Sequence, residues 1–209
     1  MKIWDLATRA YHWLQAVVFT ALLITGTSGN GPHVQLGVLL TVLITWRILL
    51  GLWGSDTSRF TQFLASPKKI IQYINGQSFT KPGHNPLGGL MVITMVGLLA
   101  VQCVSGLVMS GFFDTLPYAD TWLTDDMFGA LEQLHVVISD LLPLVVCIHV
   151  GALGIYKRNN KPLLKAMLTG NQDQQSGTHT LRFISNRRAF LMLVIAGFVT
   201  MALIAPSMV

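Results

Sequence analysis

The stretch Leu134–Val150, LHVVISDLLPLVVCIHV, holds two histidines and a single carboxylate, Asp140, in an otherwise apolar run that extends to about Tyr156. A run of that length reads as a membrane-crossing helix. His135 and His149 are fourteen residues apart, about four helical turns, so they share one face and lie roughly 21 Å from each other. They cannot bind the same ion. Imidazoles inside a membrane are costly enough to require a partner, so each must look to a neighbouring helix.

Similar runs flank this one. No Lys, Arg, Asp or Glu occurs from Ala10 to Trp46, and Thr27-Ser28-Gly29-Asn30-Gly31-Pro32 divides that stretch into spans of roughly Ala10–Gly26 and His33–Gly54. Further runs cover Pro82–Phe113 and Ala189–Val209, which predicts five transmembrane helices. With 52% hydrophobic and 11% charged residues, and a mean hydropathy of +0.55, the chain is too apolar for a soluble domain. The net charge of +5 reads as a topology signal rather than a nucleic-acid footprint. Asp5, Trp4 and Trp13, with no Ala-x-Ala-like site, argue against a cleaved signal peptide at the start.

Basic residues fall at Lys2 and Arg9, between Arg47 and Lys81, and between Lys157 and Arg188, whereas the Thr27–Pro32 turn is uncharged. That asymmetry places the N-terminus in the cytoplasm. The connection from Asp114 to Glu132 carries five carboxylates and no Lys or Arg, which fits the periplasmic side, and the C-terminus is then periplasmic too. Phe60, Phe63, Leu64, Ile70, Ile71 and Tyr73, interspersed with Lys68 and Lys69, predict an amphipathic interfacial segment broken at Pro67. Gln172–Thr180, which includes His179, reads as linker.

Depth sorts the histidines. His12 lies near the cytoplasmic end of the first span, level with His149, and His33 opens the second span level with His135. Two cross-helix pairs result, one near each surface. Paired imidazoles directed into a bundle core suit a six-coordinate haem iron, and such ligation points to electron transfer. Cys103 and Cys147 stand in apolar runs without a Cys-x-x-Cys-His site, so the haem is non-covalent. Gly37, Gly97 and Gly106 would admit a flat macrocycle, or simply serve close helix packing.

WDLATRAYHWL (4–14), HVQLGVLLTVLITWR (33–47), GHNPLGGLMV (83–92) and LHVVISDLLPLVVCIHV together resemble the bacterial cytochrome b561 family, which includes the cytochrome b subunits of membrane-bound nickel-iron hydrogenases. The resemblance implies an all-α, four-helix membrane bundle enclosing two b-type haems over residues 1–170. A cytoplasmic linker over 171–188 and a fifth, C-terminal transmembrane helix over 189–209, read from hydropathy alone, complete the expected organisation. It implies iron ligation by His12 with His149 on the cytoplasmic side and by His33 with His135 on the periplasmic side. It also implies a bacterial inner-membrane setting, quinone as the exchangeable substrate, and a periplasmic redox partner such as a c-type cytochrome or oxidoreductase.

Three residues stay open on sequence. Arg47 shares the face of His33 near the cytoplasmic surface, and either pairs with a haem propionate or snorkels to the interface as a topology signal. Asp140 turns away from the histidine face and serves a helix contact or takes a proton near quinone. His84, beside Asn85 and Pro86, belongs to a helix start or to a quinone headgroup site. Two other classes compete with electron transfer: a metal-ion transporter, which would bring carboxylate or thiol ligands beside its histidines, and a non-redox membrane anchor.

Overall fold

The computed structural model describes residues 1–77, 82–159, 163–172 and 180–208. Among them the regular elements are helical, and an isolated bridge between Lys2 and Asn171 is the only strand-like pairing. His179 and Val209 lie outside the described residues.

α1 (Leu6–Ser28) starts where the Asp5 carboxylate accepts the Thr8 N–H at 2.7 Å and stops at Gly29, whose φ of 65° is left-handed. α2 (His33–Trp53) returns antiparallel to it after a turn. α3 (Phe60–Phe63) and α4 (Pro67–Ile74) are two short helices, and Pro67 opens the second rather than breaking a single one, as its missing N–H permits at a first helical position. α5 (Pro86–Met109) is capped by Asn85, which accepts the Gly88 N–H at 2.7 Å. His84 therefore precedes the cap and does not form it.

After the single turn α6 (Ala119–Trp122), α7 runs from Asp125 to Arg158 through Pro143 without interruption. At 34 residues it is about 51 Å long, well beyond a ~30 Å hydrocarbon core. It begins nine residues before the apolar pattern does, so Asp125, Asp126 and Glu132 are helical rather than loop residues. Hydropathy marks where a helix meets lipid, while acids in the first turn and Lys157 and Arg158 in the last extend it by complementing the helix dipole. α8 (Leu163–Thr169) is short, and α9 (Asn186–Ile204) is capped by Ser185 and runs on into a 3-10 turn, Ala205–Met208.

Among the described residues four helices are long and apolar enough to cross a membrane: α2, α5, α7 and α9. α1 is as long as they are, but Arg9, His12, Gln15 and several threonines keep it below that apolarity. The expected five apolar spans are thus four apolar helices and one more polar companion. α2 packs against α1, α5 and α9, and α5 packs against α7. α9 is no detached appendage: it buries Ala189, Ala196 and Thr200, packs on α2, and receives the Trp46 indole N–H on its Ala189 carbonyl at 3.0 Å. Small residues on one stripe let the two backbones approach closely. Large apolar side chains such as Val136, Val137, Leu144 and Ile148 of α7 point outward, as expected for lipid contact.

One end of the bundle gathers distant parts of the chain. Ile3 N–H bonds the Gly170 carbonyl at 2.8 Å, and Asp56 N–H bonds the Arg182 carbonyl at 3.0 Å. Trp4 packs edge-on against His84, and Ala166 is buried beside Ile3 and Trp4. The basic segments therefore converge at this end, and the acids Asp114 to Glu132 lie toward the other.

Candidate functional site

At the basic end, α1 and α7 bring His12 and His149 together, with ring centroids 6.3 Å apart at 48° between planes. An ion bonded at about 2 Å to one nitrogen of each ring, with the ring radius added on both sides, requires centroids roughly 6 Å apart. The pair fits a metal held between facing imidazoles. Neither ring is fully enclosed, and His12 Nδ1 is shielded from solvent with no hydrogen-bond partner.

At the opposite end, His33 opens α2 and His135 lies on α7, within electrostatic reach of each other. Each is held by a neighbouring helix in the same way. Thr25 Oγ1 lies 3.0 Å from His33 Nδ1, and Ser105 Oγ lies 2.9 Å from His135 Nδ1. Each hydroxyl also donates to the main-chain carbonyl four residues back, Ala21 and Val101, at 2.9 Å. With its one proton committed there, the oxygen is left to accept from Nδ1–H, which leaves Nε2 as the free lone pair a metal takes.

Glycine follows the hydroxyl both times. A methyl at Gly26 would stand 3.2 Å from His33 Cε1, and one at Gly106 would stand 3.0 Å from His135 Cε1. The Cε1–Nδ1 edge of each ring comes against a helix that carries no side chain there. Gly37 and Gly97 behave differently, since a methyl at either meets nothing within 4 Å. The Thr-Gly and Ser-Gly dipeptides were the available sequence signal, and only their pairing with histidines on other helices gives them meaning.

The family model for prokaryotic cytochrome b561 matches residues 3–170. The chain belongs to that family. No curated protein and no solved structure matches it. As a prokaryotic cytochrome b561 it is a multi-pass membrane protein that carries electrons across the membrane with b-type haem. The match ends at Gly170, so α9 lies beyond the part the family defines.

In this family member the basic end also encloses Arg47, only 4% exposed. Its Nη1 donates to the Ser58 carbonyl at 3.1 Å, and the rings of Tyr11, Phe60 and Phe63 stand 5.0 to 6.0 Å from its guanidinium carbon. It does not snorkel. Asp56–Arg59 is the only ion pair among the described residues, and Asp5, the acid that Arg47 senses, is occupied by the Thr8 N–H and the Ser55 hydroxyl. Tyr11 Oη, Gln15 Oε1, Thr57 Oγ1 and His84 Nδ1 are likewise shielded and unpartnered. A buried cation among unsatisfied polar atoms suits an anionic group such as a propionate.

His84 stands between Trp4 and Phe63, each 4.7 Å away centroid to centroid. Burial there, with Arg47 and then His149 nearby, pulls its imidazole down to about 3, so it is neutral at physiological pH. Part of its surface stays accessible although Nδ1 itself is closed off. Beside it Asn85 Nδ2 donates to Tyr156 Oη at 2.6 Å, and the Tyr73 and Tyr156 hydroxyls lie 3.3 Å apart. Asp140 is exposed on α7, away from both histidine pairs. Cys103 and Cys147 are free thiols.

Proposed function

We propose that this chain holds two haems b, one between His12 and His149 and one between His33 and His135, and conducts electrons between the quinone pool and a periplasmic redox protein. The observation that carries this reading is the 6.3 Å approach of His12 to His149 across two helices; at the other end, hydroxyls of neighbouring helices orient His33 and His135. Haem bound there supplies a one-electron iron couple at each end of the span. The chain supplies the rest: Thr25 and Ser105 set the tautomer of two ligands, and Arg47 offers its unpaired charge to a propionate at the basic end. In this reading α1 is the fifth crossing, and its polar face is explained by what it holds.

The bacterial inner membrane is the expected setting, with the basic end cytoplasmic, so that the N-terminus is inside and the C-terminus outside. The acidic stretch from Asp114 to Glu132 then faces the periplasm and favours a basic redox partner. The accessible part of the His84 ring, beside Asn85 at the start of α5, supports a quinone headgroup at the cytoplasmic edge. Pyridine haemochrome assay of the purified protein should yield two haems b per chain. A value near one would remove one of the two pairs from the proposal.

A further inference from the structure

A cavity of about 600 Å³ opens at the basic end, where α2 finishes and α9 begins, and Arg59, Arg182 and Arg188 line it together with Trp53, Phe183 and Ser185. Its walls are fixed in place. The Asp56 and Arg182 main chains are joined by a hydrogen bond of 3.0 Å, Asp56 Oδ2 accepts the Arg182 N–H at 2.9 Å, and Ser55 Oγ accepts the Ile184 N–H at 3.0 Å. Asp56 also pairs with Arg59, which neutralises one of the three cations. Among the described residues Arg182 and Arg188 make no salt bridge, although the Arg182 charge acts on Asp56 from a longer distance, and the first turn of α9 adds the positive end of a helix dipole.

We propose that this cavity binds the phosphodiester headgroup of an anionic phospholipid from the surrounding leaflet. Two guanidinium groups outside any salt bridge provide bidentate donors to phosphate, and basic pockets between membrane helices on the cytoplasmic side recognise such headgroups. The cavity's position separates a lipid from a soluble anion. It sits at the ends of two apolar membrane helices, and an exposed apolar stripe leads away from it into the membrane. Leu191, Ile195 and Phe198 follow Arg188 at helical spacing and are 58%, 51% and 72% exposed, and Trp53 across the cavity mouth is 63% exposed. A soluble anion gains nothing from that stripe, whereas acyl chains cover it. A zwitterionic headgroup would bring its own cation to the arginines.

The test uses the full, haem-loaded chain, purified and delipidated in detergent. Dioleoyl phosphatidylglycerol should raise its melting midpoint and remain bound in native mass spectra, whereas dioleoyl phosphatidylcholine or inorganic phosphate should do neither. Arg182→Gln with Arg188→Gln should weaken phosphatidylglycerol binding by about tenfold or more, and Lys157→Gln with Arg158→Gln, in the last turn of α7 and outside the cavity lining, should not. Equal effects of the two lipids, or of inorganic phosphate, on the unmodified protein would overturn the proposal without reference to any variant. Undiminished phosphatidylglycerol binding by the Arg182 and Arg188 variant would overturn it as well.

Discussion

Ser105 Oγ stands 2.9 Å from His135 Nδ1 while donating its own proton to the Val101 carbonyl, so one serine ties the imidazole to α5 and selects its tautomer. Thr25 does the same for His33 from α1. His12, by contrast, has no partner at Nδ1. His12 is therefore held differently from His33 and His135.

An Nδ1–H hydrogen bond strengthens an imidazole ligand and favours the oxidised iron. Ser105→Ala and Thr25→Ala should each raise the potential of the haem held by His33 and His135 and leave the other nearly unchanged. Gly106→Ala should loosen that same haem by pressing on the His135 ring, even though alanine favours the helix by up to about 1 kcal/mol. Optical redox titration reads all three. Unchanged potentials would reduce the hydroxyls to packing groups.

Ligand replacements should sort by depth. His12→Ala and His149→Ala should give one spectral and redox defect, and His33→Ala and His135→Ala the other. If His12→Ala and His135→Ala removed the same haem, the pairing would be wrong, because helical rise separates His135 from His149 by roughly 21 Å.

Removing the Arg47 charge should lower the potential of one haem, since a nearby cation favours the reduced state. Arg47→Leu should shift the haem of His12 and His149 downward, and Arg47→Lys should restore most of that shift. If neither haem moves in Arg47→Leu, the guanidinium serves only the Ser58 carbonyl and the surrounding rings.

Asp56 governs a pH dependence at the basic end of the bundle. The hydrogen bond from Arg182 N–H, aided by Arg59, holds its carboxyl below the usual range. A depressed folded pKa contributes stability above the unfolded value of about 3.9, and that contribution disappears as pH falls through the folded value. Asp56→Asn should therefore melt lower than the unmodified protein at neutral pH, and the gap should close below about pH 4. A gap that is constant from neutral to acid pH would show that Asp56 acts without its charge.

Hydropathy, helical rise and charge placement are properties of one dimension, and they were readable along the chain: the apolar α2, α5, α7 and α9, the fourteen-residue spacing of His135 and His149, and the segregation of basic from acidic segments. Depth in a membrane follows from position along a helix, so the grouping of histidines by level followed as well. Lateral placement did not, because it depends on which helices touch. The Ser105–His135 contact joins residues thirty apart on different helices, and a serine before a glycine carries no local sign of that. Arg47 was undecided for the same reason. Its burial depends on α3 folding back to set Phe60 and Phe63 around the guanidinium, and only tertiary packing separates a snorkelling arginine from one enclosed with its charge unpaired. The early start of α7 and the docking of α9 on α2 also belong to the tertiary structure: hydropathy reports contact with lipid, while helix length and helix partners are decided by caps, dipoles and the fit of small residues against a neighbouring backbone.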